Sequence, residues 1–393
     1  MKSAFSQTAR NQRFLHRGEG SIMNITPVAG RVRRVLLGAV VAMGLAGPAF
    51  AQTLYVANAG SNTVSIIRPN EGNSIHTVAV GANPQGIAIS PNGARAYAAN
   101  AGSGNVSVID TASHAQLTTI TVGTTPYSVA VSPDGARAYT ADSGSDTVSV
   151  INTASNAVVA TVNVGNGPIS VAVSPDNAFV YAVNFRSSSV SVIQTSNHDV
   201  IETVSIPSGA FKGAYHVAFS KDGNFAYVVD AQGPTVTKIR TSDHTVMGTY
   251  ATGLTPHASA VHPNGTSVYV ASYGSSGVVY GYDTTTLAET AATNVGSNPN
   301  SLAFSSDGSR LYVANYGAHG GGIPGTVSVI NTATNTVVDT ITVGVNPSSI
   351  AVGPTTTSTP AAVPTLTEWA MILLAMALAG FAALTLQRRR QTA

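Results

Sequence analysis

Two histidines, His216 and His257, stand 41 residues apart, each near the head of a short stretch in which apolar residues alternate. Nearby in sequence lie side chains suited to gripping another molecule: Phe185, Arg186, Phe211, Lys212, Tyr215, Tyr273, Tyr316 and His319. Aromatic rings and arginine dominate binding hot spots, because they bury much area at modest entropic cost. These ten residues form the candidate ligand- or partner-binding set. A metal held by the two histidines would need a third ligand, and no acidic residue stands near them in sequence, so no metal site is expected. The chain has no cysteine, which removes thiolate nucleophiles, thiolate metal sites and disulfides. It also lacks a serine-nucleophile elbow, a paired-histidine helix motif and a phosphate-cradling loop. The glycine-rich "YGAHGGGIPG" (316–325) has no lysine and reads as a loop. Asp134, Asp176 and Asp222 each sit in a P-D-G-like turn, where turn chemistry accounts for them. No catalytic residue and no cofactor is expected.

The elements that must position these side chains are repeats. Tyrosines recur at 55, 97, 139, 181, 227, 269 and 312, a period near 42 residues. Within one period, "YSVAVS" (127–132), "RAYTA" (137–141), "TVSVI" (147–151) and "AVVATVNV" (157–164) are alternating and rich in β-branched residues. They read as four short antiparallel strands, and the period-2 pattern excludes helical repeats of similar length. Such a unit cannot bury both of its faces alone, so units must stack, and a propeller is the stable solution. The expected fold is an all-β, seven-bladed β-propeller of four-stranded antiparallel blades over residues 52–353. The Tyr-bearing strand occurs seven times, yet the strand ahead of it is complete only six times before residue 308; the seventh is "NPSSIAVGP" (346–354). The C-terminal strand is therefore expected to complete the N-terminal blade.

The repeats also act as controls for one another. Turns on one rim stay close to "PDG" and "DTATN", whereas loops on the other are plain in early blades and carry the ten candidate residues later. Through "LYVANAGSNTVSII" (54–67), "VAVSPDGARAY" (129–139) and "TVSVINTATNTVVDTITVG" (326–344), the chain resembles the YVTN family of β-propellers. That resemblance implies the fold strongly. For activity it implies only a range: surface-layer and adhesive proteins, binding proteins and lactonase relatives. A WD-repeat reading fails, since the single tryptophan, Trp369, lies outside the repeats. The expected function is a binding or adhesive scaffold with an envelope protein or glycan as ligand. The alternative is a lactonase-like or quinoprotein-like enzyme using the channel mouth.

Both ends read as addresses. Arg31, Arg33 and Arg34 precede an apolar run of 13 residues and a small-x-small site at Ala49 and Ala51, a secretory signal with cleavage between Ala51 and Gln52. The lead before it is long, so the start is Met1 or Met23. Residues 354–363 are a Pro/Thr linker. Residues 370–386 carry no charge, about 26 Å of helix, close to a hydrocarbon core of ~30 Å, so a C-terminal transmembrane helix is expected. Pro364, Thr365, Leu366, Glu368 and Trp369 before it, with Arg388, Arg389 and Arg390 after it, resemble the IPTL-type sorting signals of Gram-negative bacteria. This resemblance implies an exosortase-like sorting protease as partner and 364–393 as the signal. The expected location is the periplasmic side of the inner membrane or the cell surface.

Charge then excludes one partner class. The whole chain is +2, but residues 52–363 hold 9 basic and 15 acidic residues, net −6. The positive charge belongs to the ends. An acidic body lacks the clustered Lys and Arg that a nucleic acid requires, so none is expected as partner.

Overall fold

The computed structural model describes residues 50–207, 213–252, 255–318 and 322–357. The expected signal segment before Phe50, the sorting tail and its helix lie outside the described residues. Among those described, the single helical turn is the 3₁₀ turn Pro69–Glu71, and no helix is long and apolar enough to cross a membrane.

Seven four-stranded antiparallel sheets form the blades of a propeller. Blade 2 sets the pattern: Pro84–Ile89 is innermost, followed outward by Arg95–Asn100, Asn105–Asp110 and Ala115–Thr121. The innermost strands of blades 3 to 7 are Pro126–Val131, Pro168–Val173, Ala214–Phe219, Pro256–Val261 and Pro299–Phe304. Burial falls outward. Second strands are buried almost end to end, with Tyr97, Tyr139, Tyr181 and Tyr227 fully covered, whereas fourth strands such as Ala115–Thr121 are largely exposed.

The core is seven cores. Each hydrophobic cluster joins two neighbouring blades, as where Tyr97, Val106 and Val108 of blade 2 meet Ala138 and Ile151 of blade 3. A blade covers its neighbour's face, which is why the pattern must recur around a ring. At ~1.5–3 kcal/mol per buried aliphatic side chain, these interfaces dominate the fold's stability.

Polar side chains lock the two rims. On the rim of the first-to-second strand turns, Asp134 Oδ1 accepts the Ser132 hydroxyl and the Ala136 N–H, and the Thr153 hydroxyl donates to the Gly135 carbonyl at 2.6 Å. Gly135 has φ +71°, the left-handed conformation that explains the glycine. Asp176, Asp222 and Asp307 repeat the arrangement, and the serine hydroxyls above all hold these turn carboxyls below the usual range. On the opposite rim each second strand ends in a buried polar residue. Asn100 Nδ2 donates to Asn105 Oδ1 and Ser107 Oγ, while Asp142 accepts from the Thr140 and Ser149 hydroxyls instead.

Closure follows the strand count. Pro347–Val352 pairs with Leu54–Asn58 and becomes the innermost strand of blade 1, whose outer strands are Thr63–Arg68 and Ser74–Ala79. The Ser348 hydroxyl sits between the Ala57 carbonyl, at 3.2 Å, and the Pro84 carbonyl, at 2.7 Å, so the last strand also ties blade 1 to blade 2. Just beyond, Phe50–Ala51 pairs with Thr356–Thr357. Both ends of the propeller therefore leave from the turn rim, and Pro354 packs over Gly93 there.

Candidate functional site: an aromatic channel mouth

Every innermost strand begins with a bulge. The register shift falls between its first and third residues in all seven blades, leaving the second residue out of the ladder. A bulge re-aims its side chain. The seven re-aimed residues are Gln85, Tyr127, Ile169, Tyr215, His257, Asn300 and Ser348, a ring at the rim opposite the chain ends. A second ring follows the second strands: Ala59, Ala101, Ser143, Phe185, Ala231, Tyr273 and Tyr316. Neither ring carries a carboxylate.

These rings bring most of the described candidates together. Phe185 meets Tyr215 edge to face with ring centres 6.0 Å apart; Tyr215 stacks on His257 at 4.3 Å, and His257 stacks on Tyr273 at 4.1 Å. This ladder runs across blades 4, 5 and 6. The Tyr215 hydroxyl hydrogen-bonds Tyr127, two blades away, and burial first and these neighbouring phenols second raise its pKa well above the ordinary value. Tyr273 and Tyr316 are raised as well, chiefly by burial, then by Tyr316 and Tyr127 for Tyr273 and by Tyr127 for Tyr316. Four phenols thus gather over the channel.

The histidines differ in chemistry. Asn300 Nδ2 donates to the Ser348 carbonyl at 2.9 Å, which turns Oδ1 toward His257. The His257 Nδ1–H then donates to that oxygen at 3.3 Å, leaving Nε2 with the lone pair. Burial pushes its pKa down to about 4, against the Asn300 bond. His216 has the opposite tautomer, because its Nδ1 accepts the Ser259 backbone N–H at 3.3 Å. It stands in a ring of clamps: Ser128, Ser170, Ser301 and Ser349, at the same third position of their strands, each accept a backbone N–H from the next blade. Burial holds His216 at about 4 also. Blade 2 has Gly86 at this place, where a Cβ would stand 2.8 Å from Ser128 Cα, so the blades approach too closely there for a side chain.

Arg186 lies at the edge of the cluster, its Nη1 directed at the Ser143 carbonyl at 3.5 Å and its stem against Gly167. Phe211, Lys212 and His319 lie outside the described residues, as do the sorting residues and Trp369. Of the cleavage pair, Gln52 is buried and Ala51 is in the short terminal sheet. Sequence reasoning missed Tyr127 and Asn300. The available signal was registration: both occupy the second strand position, in line with Tyr215 and His257. No group of three or more His, Cys, Asp or Glu able to hold a metal occurs among the described residues.

Fold and site together define a closed seven-bladed propeller with a neutral, aromatic channel mouth. The family model for the lactonase, 7-bladed beta-propeller, matches residues 74–316, and the chain belongs to that family. An IPTL-CTERM motif matches residues 361–390, which suggests an exported, surface-sorted protein. Among solved structures, a hydrazine synthase chain of Kuenenia stuttgartiensis is similar at 25% identity and TM-score 0.65, over 76% of this chain and 99% of that one. A 6-phosphogluconolactonase-like protein of Bacteroides uniformis matches at 18% identity and TM-score 0.65, over 77% and 99%. A functionally unknown protein of Desulfotomaculum acetoxidans matches at 16% and 0.66, over 77% and 99%. The latter two show the fold alone. No curated protein matches the chain.

Proposed function

We propose that the chain is an exported binding propeller of the YVTN kind, sorted through its tail to the outer face of a Gram-negative envelope, whose mouth captures an envelope protein or glycan. The observation that carries this reading is the ladder Phe185–Tyr215–His257–Tyr273, built on one rim where the same positions in blades 1 and 2 hold Ala59, Ser348, Ala101 and Gln85. Aromatic faces beside amides and hydroxyls suit a ligand that presents both apolar and hydrogen-bonding surface. The mouth's two rings hold no carboxylate to bind a cation or serve as a strong general base, and His257 at about 4 is a weak base at neutral pH.

The family name and the lactonase-like neighbour favour one second reading, hydrolysis of a lactone at the same mouth. One experiment separates the two. Full-length wild type and Tyr215→Ala/Tyr273→Ala are used to capture material from native envelope, with 6-phosphogluconolactone hydrolysis measured in parallel. Binding is expected to be lost in the double variant while its circular dichroism shows the propeller still folded at the assay temperature, and hydrolysis is expected to stay at background. Hydrolysis that disappears in His257→Ala would overturn the binding reading in favour of the enzyme.

A further inference from the structure

Six blades carry a bulge where the third strand pairs with the fourth; blade 1 does not. Its outer hairpin is instead a regular ladder closed by the 3₁₀ turn Pro69–Glu71 and by Gly72 at φ +66°. The regular register places His76 opposite Ile66 and Ser74 opposite Arg68, so these four share one face. That face lines a cavity of about 280 Å³, completed by Ile75 and by His114 from the next blade.

The polar groups converge inside it. Arg68 Nη2 lies 3.3 Å from His114 Nε2, the His76 and His114 ring centres are 4.7 Å apart, and Arg68 Nη1 binds Glu71 Oε2 at 3.3 Å. Again the repeats are controls. His244 holds the place of His114 in blade 5, and there Nδ1 contacts the Tyr181 hydroxyl at 2.7 Å, a packing role. At blade 2 the core tyrosine of the preceding blade, Tyr55, bonds Thr111 instead, and His114 turns to Arg68. Arg240 holds the place of Arg68 in blade 5, where it pairs with Asp243 and donates to the Thr245 hydroxyl at 2.8 Å, with no imidazole partner among the described residues.

We propose that this cavity is a binding site for a divalent oxyanion of the sulfate or phosphate kind, held by Arg68, His76 and His114. Glu71 shows what the guanidinium takes, an oxyanion, and it is more than half exposed on a short turn, so a ligand displaces it into water. The guanidinium and two imidazoles offer three donors, which suit an anion carrying more than one charged oxygen. The site lies on blade 1 at the outer edge of the propeller, independent of the aromatic mouth.

Binding is tied to protonation. The charged and titratable groups acting on His114 are His76, Arg68 and Asp110; Arg68 is itself paired with Glu71 and Asp110 with Arg95. Burial, then His76 and Arg68, hold the His114 pKa below the ordinary value, with Asp110 opposing. A dianion beside the ring favours its protonated form, so affinity rises as pH falls toward 6.

Calorimetric titration of detergent-solubilised full-length protein with sodium sulfate, a dianion throughout the range, tests this at about pH 6 and about pH 7.5. Expected are one saturable site that tightens at the lower pH, a loss of roughly tenfold or more in Arg68→Gln, and a weaker pH response in His114→Gln. Arg240→Gln is expected to bind as wild type, and saturation by phosphate as well as sulfate supports the same site. No saturable binding by wild type, unchanged binding in Arg68→Gln, equal loss in Arg240→Gln, or acetate binding as tightly as sulfate would each overturn the proposal.

Discussion

His216 and His257 are both neutral in the folded protein, and that neutrality couples stability to pH. Their folded pKa values, about 4, lie below the unfolded value near 6.5, so the unfolded chain binds more protons between those limits. Their contribution is complete above pH ~6.5 and is lost as pH falls toward 4, at most roughly 3 kcal/mol per histidine. Melting curves from about pH 7 to pH 4.5 should fall steadily, and His257→Gln should fall less steeply over the same range. The turn aspartates act lower, since their depressed values matter only once carboxylates begin to protonate. At this scale the sequence showed which residue types gather in the later blades but not their contacts. His216 reads as a mouth residue in sequence, and its position makes it also a clamp between blades, equivalent to a serine. Tyr127 reads as an ordinary strand residue, because only the bulge turns it toward Tyr215.

Strands were legible because their alternation is strict and β-branched side chains pack on a pleated face; P-D-G-like turns marked where the innermost ones end. Bulges were not, since the extra residue leaves the pattern of apolar positions almost intact. Two element-scale predictions follow from hydrogen bonds that cross blades. Ser128→Ala removes the acceptor for the Val171 N–H and should lower stability by about 1 kcal/mol, measured by urea unfolding. Deleting residues 346–357 removes Ile350 and the Ser348 ties and leaves Leu54–Asn58 as an unpaired edge. A loss of at least ~3 kcal/mol is expected from the buried side chains. A truncated chain that melts with wild type would show that the ring closes without its last strand.

Across the whole molecule, the described chain ends leave one rim and the aromatic ladder occupies the other. If the tail is held by an anchor and a ligand by the mouth, as proposed above, a pull between them would run along the innermost strand Pro347–Val352. Its hydrogen bonds to Leu54–Asn58 lie across that direction, so they bear the load together, in shear, rather than one after another as in a zipper. A ring closed by its last strand would thereby act as a mechanical clasp, expected to hold best when tugged from the mouth. Pulling full-length protein in an optical trap between a mouth-bound ligand and the C-terminus should give a higher rupture force than pulling on the same C-terminus against a handle attached at Gln52. That second geometry loads both strand ends on one rim and peels the pair apart from Leu54 and Val352 inward.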